Sequence, residues 1–166
     1  MVRSNENSAF VFYGLFMELF KKKVHQACVD VVNEKISYLK KLIDELQQGA
    51  KNDSKSTAGD KHETARAMMQ LEQEKLTKQL QQYLQFQQQL KSINTDQPLA
   101  QIMQGALVQT HTSVFYIAAP LGKVFINETE IMVLSATAPI VSAMKGKKVG
   151  EEFTFNQAIY RIENIL

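Results

Sequence analysis

A chain of 166 residues has room for one domain with an appendage or for two small domains, which excludes a large multi-domain enzyme. Hydrophobic residues at 45% and charged residues at 22% fit a chain that folds in water, neither disordered nor embedded in a membrane. Nineteen Lys+Arg against seventeen Asp+Glu leave +2, too little for sequence-blind nucleic-acid binding. The single cysteine, Cys28, excludes a disulfide or thiolate cluster within one chain, and a reducing cytoplasm is the expected setting.

Ala9 to Phe20 reads AFVFYGLFMELF, an apolar stretch that invites a signal-peptide reading. Glu18 interrupts it, and Lys21-Lys22-Lys23 follows where a small-residue cleavage site belongs, so neither export nor a membrane anchor is expected. Met1 and Met17 are both open as the natural start. Under the second, residues 1–16 are a disordered or non-native extension.

From Glu18 to Gln48 apolar residues fall at Cys28, Val32, Ile36, Leu39, Ile43 and Leu46, a spacing that winds one stripe along a helix. A second stripe, weaker and wetter, runs from Glu63 to Ile93 through Met69, Leu76, Leu80, Tyr83 and Leu90. The polar cluster from Gln48 to Asp60 separates them and reads as a loop, which predicts an antiparallel helical hairpin over 17–94. Thirty residues of helix extend about 45 Å, so the loop is expected to stand far from the rest. The stretch QQYLQFQQQ, Gln81 to Gln89, reads as helix surface.

Asn94 to Pro98 is a punctuated stretch, and 95–98 is the expected linker to a C-terminal domain over 99–166. There the pattern changes to short β-branched and aromatic runs. Strands are predicted over Ala106–Thr110, Ser113–Ala118, Lys123–Ile126, Glu130–Ser135, Glu152–Phe155 and Ile159–Ile165. A short helix fits Pro139 to Lys145, with Pro139 near its first turn and Gly146 at its end. The fold class is α+β, a helical hairpin followed by a small β-rich domain with one short helix.

No P-loop, Gly-rich dinucleotide turn, CxxC pair or His-rich metal motif occurs, and no nucleophile signature accompanies the Ser and His residues. The chain does not read as a self-contained enzyme, and no cofactor of its own is expected. The informative cluster is Gly59-Asp60-Lys61-His62-Glu63, where the second helix begins. Its plain reading is a capping box, with Asp at the N-cap and Glu three residues on. Its sharper reading is a pair of carboxylates on one side of a first helical turn, able to share a hard cation such as Mg²⁺ that keeps water for its other ligands. Lys145, Lys147 and Lys148 form a basic knot that by itself reads as a solvated loop. Phe115, Tyr116, Phe125, Phe153, Phe155 and Tyr160 lie along the strands and are expected in the core, and His62 is expected as an exposed helix-end residue.

The helical hairpin, the acid pair at its loop and the small C-terminal β domain together resemble the bacterial Gre transcript-cleavage factors. The Gre tip motif runs Gly-Asp, two residues, Glu, one residue, Ala, and Gly59-Asp60-Lys61-His62-Glu63-Thr64-Ala65 fits it. The C-terminal segment TAPIVSAMKGKKVGEEFTFNQAIYRIENIL, Thr137 to Leu166, is similar to the end of the same family. The resemblance spans Glu18 to Leu166 and is best at these two places.

The resemblance implies a transcription elongation factor of the cytoplasm. Its hairpin enters the secondary channel of RNA polymerase while an FKBP-like C-terminal domain docks at the rim. Asp60 and Glu63 then help hold the second Mg²⁺ for hydrolysis of backtracked RNA, so the activity stimulated is the polymerase's own. The nascent RNA 3′ end is met only indirectly, and neither sequence-specific DNA binding nor membrane association is implied. Pro139-Ile140 matches the family's polymerase-contacting loop, with Lys145, Lys147 and Lys148 beside it. Arg66 and Ala67 stand where the family usually has an acidic and an aromatic residue, and Ala138 replaces the usual Ser before the proline. A non-cleaving regulator of the same channel is therefore the alternative, and an FKBP-like chaperone or prolyl isomerase a third.

Overall fold

Apolar positions stepping by three and four, with no proline before Pro98, let the front of the chain form two long helices. In the computed structural model, which describes residues 4–53, 60–97 and 99–166 and the side chains of 14–49, 63–97 and 99–166, these are α1, Ser4–Asp53, and α2, Asp60–Lys91. Helix α1 is longer at both ends than the stripe from Glu18 to Gln48. The fold is α+β, a long helical region followed by a six-stranded mixed sheet with one short helix. No helix among the described residues is long and apolar enough to cross a membrane. The chain divides into two units, one of Met1–Val29 with Gln89–Leu166 and the other of Asp30–Gln88.

In the unit of Asp30–Gln88, Val32, Ile36 and Leu39 of α1 are buried, as are Leu76 and Phe86 of α2. The Gln87 side-chain amide donates to Asn33 Oδ1 at 2.7 Å, tying the two helices together where the seam is polar. Phe86 corrects the reading of the Gln-rich stretch as all surface: its ring is buried and meets Tyr83 edge-on, with centroids 5.4 Å apart. Gln85, Gln88 and Gln89 are exposed, because a 3.6-residue period buries only one side of a polar helix.

The unit of Met1–Val29 with Gln89–Leu166 holds the sheet. Its strands are β1 Leu107–Thr110, β2 Val114–Ala118, β3 Gly122–Ile126, β4 Thr129–Ser135, β5 Glu152–Phe155 and β6 Ala158–Ile165. Helix α3, Pro139–Met144, lies between β4 and β5 in sequence. Each strand begins within one residue of its predicted start. The order across the sheet is β3-β4-β2-β1-β6-β5, and among these pairs only β2 with β4 is parallel. The register shifts between Gln109 and Thr110 where β1 meets β6.

Turn chemistry closes the hairpins. Asn127 has φ 54° between β3 and β4, and Asn156 and Gln157, at φ 48° and 65°, make the two-residue turn between β5 and β6. Two consecutive left-handed residues match the right-handed twist of the flanking strands. Gly146, at φ 78°, turns the chain out of α3 at almost no steric cost.

Alternation along β2 divides the buried residues between two faces. Phe115 and Ile117 join Val108, Met144, Phe153 and Ile162 in the core under α3. Tyr116 points to the opposite face and is fully buried against α1, whose Val24 and Cys28 are also buried. Phe125 departs from the expected aromatic core, being 60% exposed on edge strand β3.

Candidate functional site

Asp60 is the first residue of α2, and Glu63 lies three residues on in the same first turn. Backbone N–H groups of a first turn have no partner within the helix, so that end carries partial positive charge and suits acidic residues. Glu63, Thr64, Ala65 and Arg66 are exposed. Gly59 and the side chains of Asp60, Lys61 and His62 lie outside the described residues. Among the described residues near this end Met69 is half-buried, while Met68 and Leu71 are exposed.

The second expected contact, Pro139-Ile140, opens α3. Proline supplies the helical φ and needs no N–H partner at that position. Ala138 is the N-cap and makes no side-chain cap. The chain is instead held by Ser135, whose carbonyl accepts from the Ala138 N–H at 3.0 Å and whose hydroxyl accepts from the Thr137 N–H at 3.2 Å. Pro139 is exposed and Ile140 half-buried. Both border a cleft of about 430 Å³ walled by Phe115, Met132, Phe155 and Tyr160. The Tyr160 ring is stacked on Phe153 with centroids 5.0 Å apart, which fixes that wall.

Lys145, Lys147 and Lys148 do not share this cleft. They lie beyond the other end of α3, on a second cleft of about 800 Å³. The N–H of Lys147 donates to the Met144 carbonyl at 3.1 Å, and the N–H of Lys148 donates to the Glu151 carboxylate at 2.7 Å. These bonds hold the lysine turn.

A further polar cluster was not anticipated in the sequence. His25 Nδ1 and the Tyr116 hydroxyl are 2.7 Å apart, and Lys21 lies one helical turn before His25 with only 2% of its surface exposed. Burial, with Lys21 as a smaller repulsive neighbour, lowers the His25 pKa, and burial lowers that of Lys21 against the opposing pull of Glu18. Burial pushes the Cys28 thiol up to about 12 and raises the Tyr116 hydroxyl. Such a thiol stays protonated and is a poor nucleophile or metal ligand. Lys21 sits in a run of three lysines, a composition that gives no hint of burial. Its step of four from Met17 and three to Val24 is the signal that places it on the buried stripe.

Among the described residues no group of three or more His, Cys, Asp or Glu side chains is placed to hold a metal ion. No protein-family model, curated protein or solved structure matches the chain.

Proposed function

We propose that the protein is a Gre-like transcription elongation factor that enters the secondary channel of a bacterial RNA polymerase and stimulates cleavage of backtracked RNA. The observation that carries this reading is the position of Asp60 and Glu63 in the first turn of α2, within Gly59-Asp60-Lys61-His62-Glu63-Thr64-Ala65. In this reading α1 and α2 form an antiparallel hairpin, supported by the buried stripe on each helix and by the Gln87 to Asn33 hydrogen bond. The C-terminal domain is read as FKBP-like, supported by the six-stranded sheet with α3 against one face.

The exposed Glu63 carboxylate suits a cation shared with another protein, since Mg²⁺ commonly takes one or two carboxylates and keeps several waters. Such an ion supplies Lewis-acid polarisation of a phosphoryl oxygen and an activated water. This chain's part is delivery. Asp60 and Glu63 bring oxygen ligands to a centre that has too few, and docking through Pro139-Ile140 makes those ligands local. Without the polymerase the two acids hold no ion at physiological concentration, and the protein has no nuclease activity of its own.

A non-cleaving regulator of the same channel is the second reading, favoured by Arg66 and Ala67, both exposed immediately beyond the acid pair. The test is to add the protein to stalled, backtracked elongation complexes carrying 3′-extended RNA. Shortening of the transcript supports the first reading. Retention on the polymerase with the transcript intact leaves the second, and absence of retention removes both.

A further inference from the structure

The residues expected to form one partner surface occupy two clefts at opposite ends of α3. The cleft beyond its C-terminal end has an apolar lining, Leu99, Ile102, Met103, Val149 and Ile165, and its rim carries Lys145, Lys147 and Lys148. Among the described residues no carboxylate lines it. Glu151, the acid nearest the three lysines in sequence, accepts from the Lys148 backbone N–H and is thereby engaged with the main chain. Among the described residues none of the three lysines takes part in a salt bridge.

Met103 and Val149 are 52% and 57% exposed, so the apolar surface extends from the cleft to its mouth. Exposed apolar surface that is concave and rimmed by polar groups marks a binding site more often than a solvated face. The volume, about 800 Å³, lies in the range of pockets that enclose a ligand or several side chains. Gly146 and the Lys147 to Met144 hydrogen bond fix the turn that presents the lysines, so little ordering is needed on binding.

Two demands must be met together: apolar groups to cover the floor, and anionic groups to face three ammoniums. Single-stranded nucleic acid satisfies the lysines, but the floor offers no aromatic ring on which its bases could stack. An uncharged apolar segment covers the floor and leaves the lysines unmatched. We infer that this cleft docks an acidic amphipathic segment of a partner protein, its apolar side chains on Met103 and Val149 and its carboxylates on Lys145, Lys147 and Lys148. The segment binds independently of the acid pair on α2, and the inference does not rest on the polymerase reading.

The test is fluorescence anisotropy on the full chain with a labelled synthetic peptide of about three helical turns, with Leu on one face and Glu on the other. Saturable binding is expected at low salt, weakened roughly tenfold by K145E/K147E/K148E and by a comparable factor in about 0.5 M salt, because rim charges are screened. Val149→Asp is expected to weaken it as well. K40E/K41E/K78E, the same change in net charge on exposed lysines of the other unit, is expected to bind as wild type does. Circular dichroism confirms that each variant is folded. Absence of saturable binding at low salt overturns the inference. So does equal loss in both triple variants, or binding of an oligouridylate at the three lysines in place of the peptide.

Discussion

The imidazole of His25 on α1 is hydrogen-bonded through Nδ1 to the hydroxyl of Tyr116, a fully buried residue of β2, at 2.7 Å. The rings meet edge to face, at 88°. A neutral imidazole can accept the hydroxyl proton at Nδ1, whereas a protonated one cannot, and Lys21 one turn away disfavours the added charge. Because the folded-state pKa of His25 lies below the unfolded value near 6.5, the unfolded chain binds more protons in the interval between them. Stability from this group is therefore complete above about pH 6.5 and is lost as pH falls from there toward the lower folded pKa. Urea unfolding between about pH 5 and 8 is expected to show that loss in wild type and a flatter profile in His25→Gln. Equal slopes in the two proteins would contradict the assignment.

Tyr116→Phe leaves the ring in place and removes the hydroxyl, so the cost is one hydrogen bond to a half-buried partner, about 1 kcal/mol. The double variant with His25→Gln is expected to be less destabilised than the sum of the singles. Strict additivity would mean that the two groups do not interact.

Lys21 sits on the buried stripe of α1, and its Nζ has no hydrogen-bond partner among the described residues. An unbranched apolar side chain of similar length keeps the packing and removes the unpaired polar group. Lys21→Met is accordingly expected to raise stability by about 1 kcal/mol in urea titration at neutral pH. A loss of stability would show that the amine is paired in solution.

Burial along the long helices makes a contrast. Leu39 is 1% exposed and Leu71 66%, although both are leucines on long amphipathic helices. Leu39→Ala is expected to cost about 2–5 kcal/mol and Leu71→Ala less than about 0.5 kcal/mol, measured by the same unfolding assay. Similar costs would place the stripe on the wrong face.

The turn between β5 and β6 holds Gln157 at φ 65°, a conformation that glycine adopts without strain. Gln157→Gly turns the pair into Asn-Gly, the preferred sequence for this turn, and is expected to stabilise the domain by about 1 kcal/mol. Thermal denaturation checks it.

Local patterns account for what could be read in advance. Strands β1 to β6 stood out because β-branched and aromatic runs alternate with Asn, Gly and His-Thr turns, and α3 because Pro139 and Gly146 bracket it. The parallel pairing of β2 with β4 was not legible, since it joins segments separated by β3 and no local pattern encodes it. Phe86 was hidden by its glutamine neighbours and Lys21 by its lysine neighbours, where composition masked position on the helix. The spacing of Asp60 and Glu63 reads first as a capping box, and their metal role rests on the resemblance to the Gre tip motif. The separation of Pro139-Ile140 from the three lysines was not legible, because the second cleft is completed by Leu99 to Met103, from a different part of the chain.

The central claim is that Asp60 and Glu63 act on a centre belonging to the polymerase. Its most direct measurement is the rate of transcript shortening in backtracked complexes at saturating protein, for wild type and for the Asp60→Asn and Glu63→Gln variants. The account predicts that wild type shortens the RNA and that each variant slows it by about a hundredfold or more while still competing with wild type for the polymerase. Variants that shorten the RNA as fast as wild type, or a wild type that leaves it intact, would contradict it.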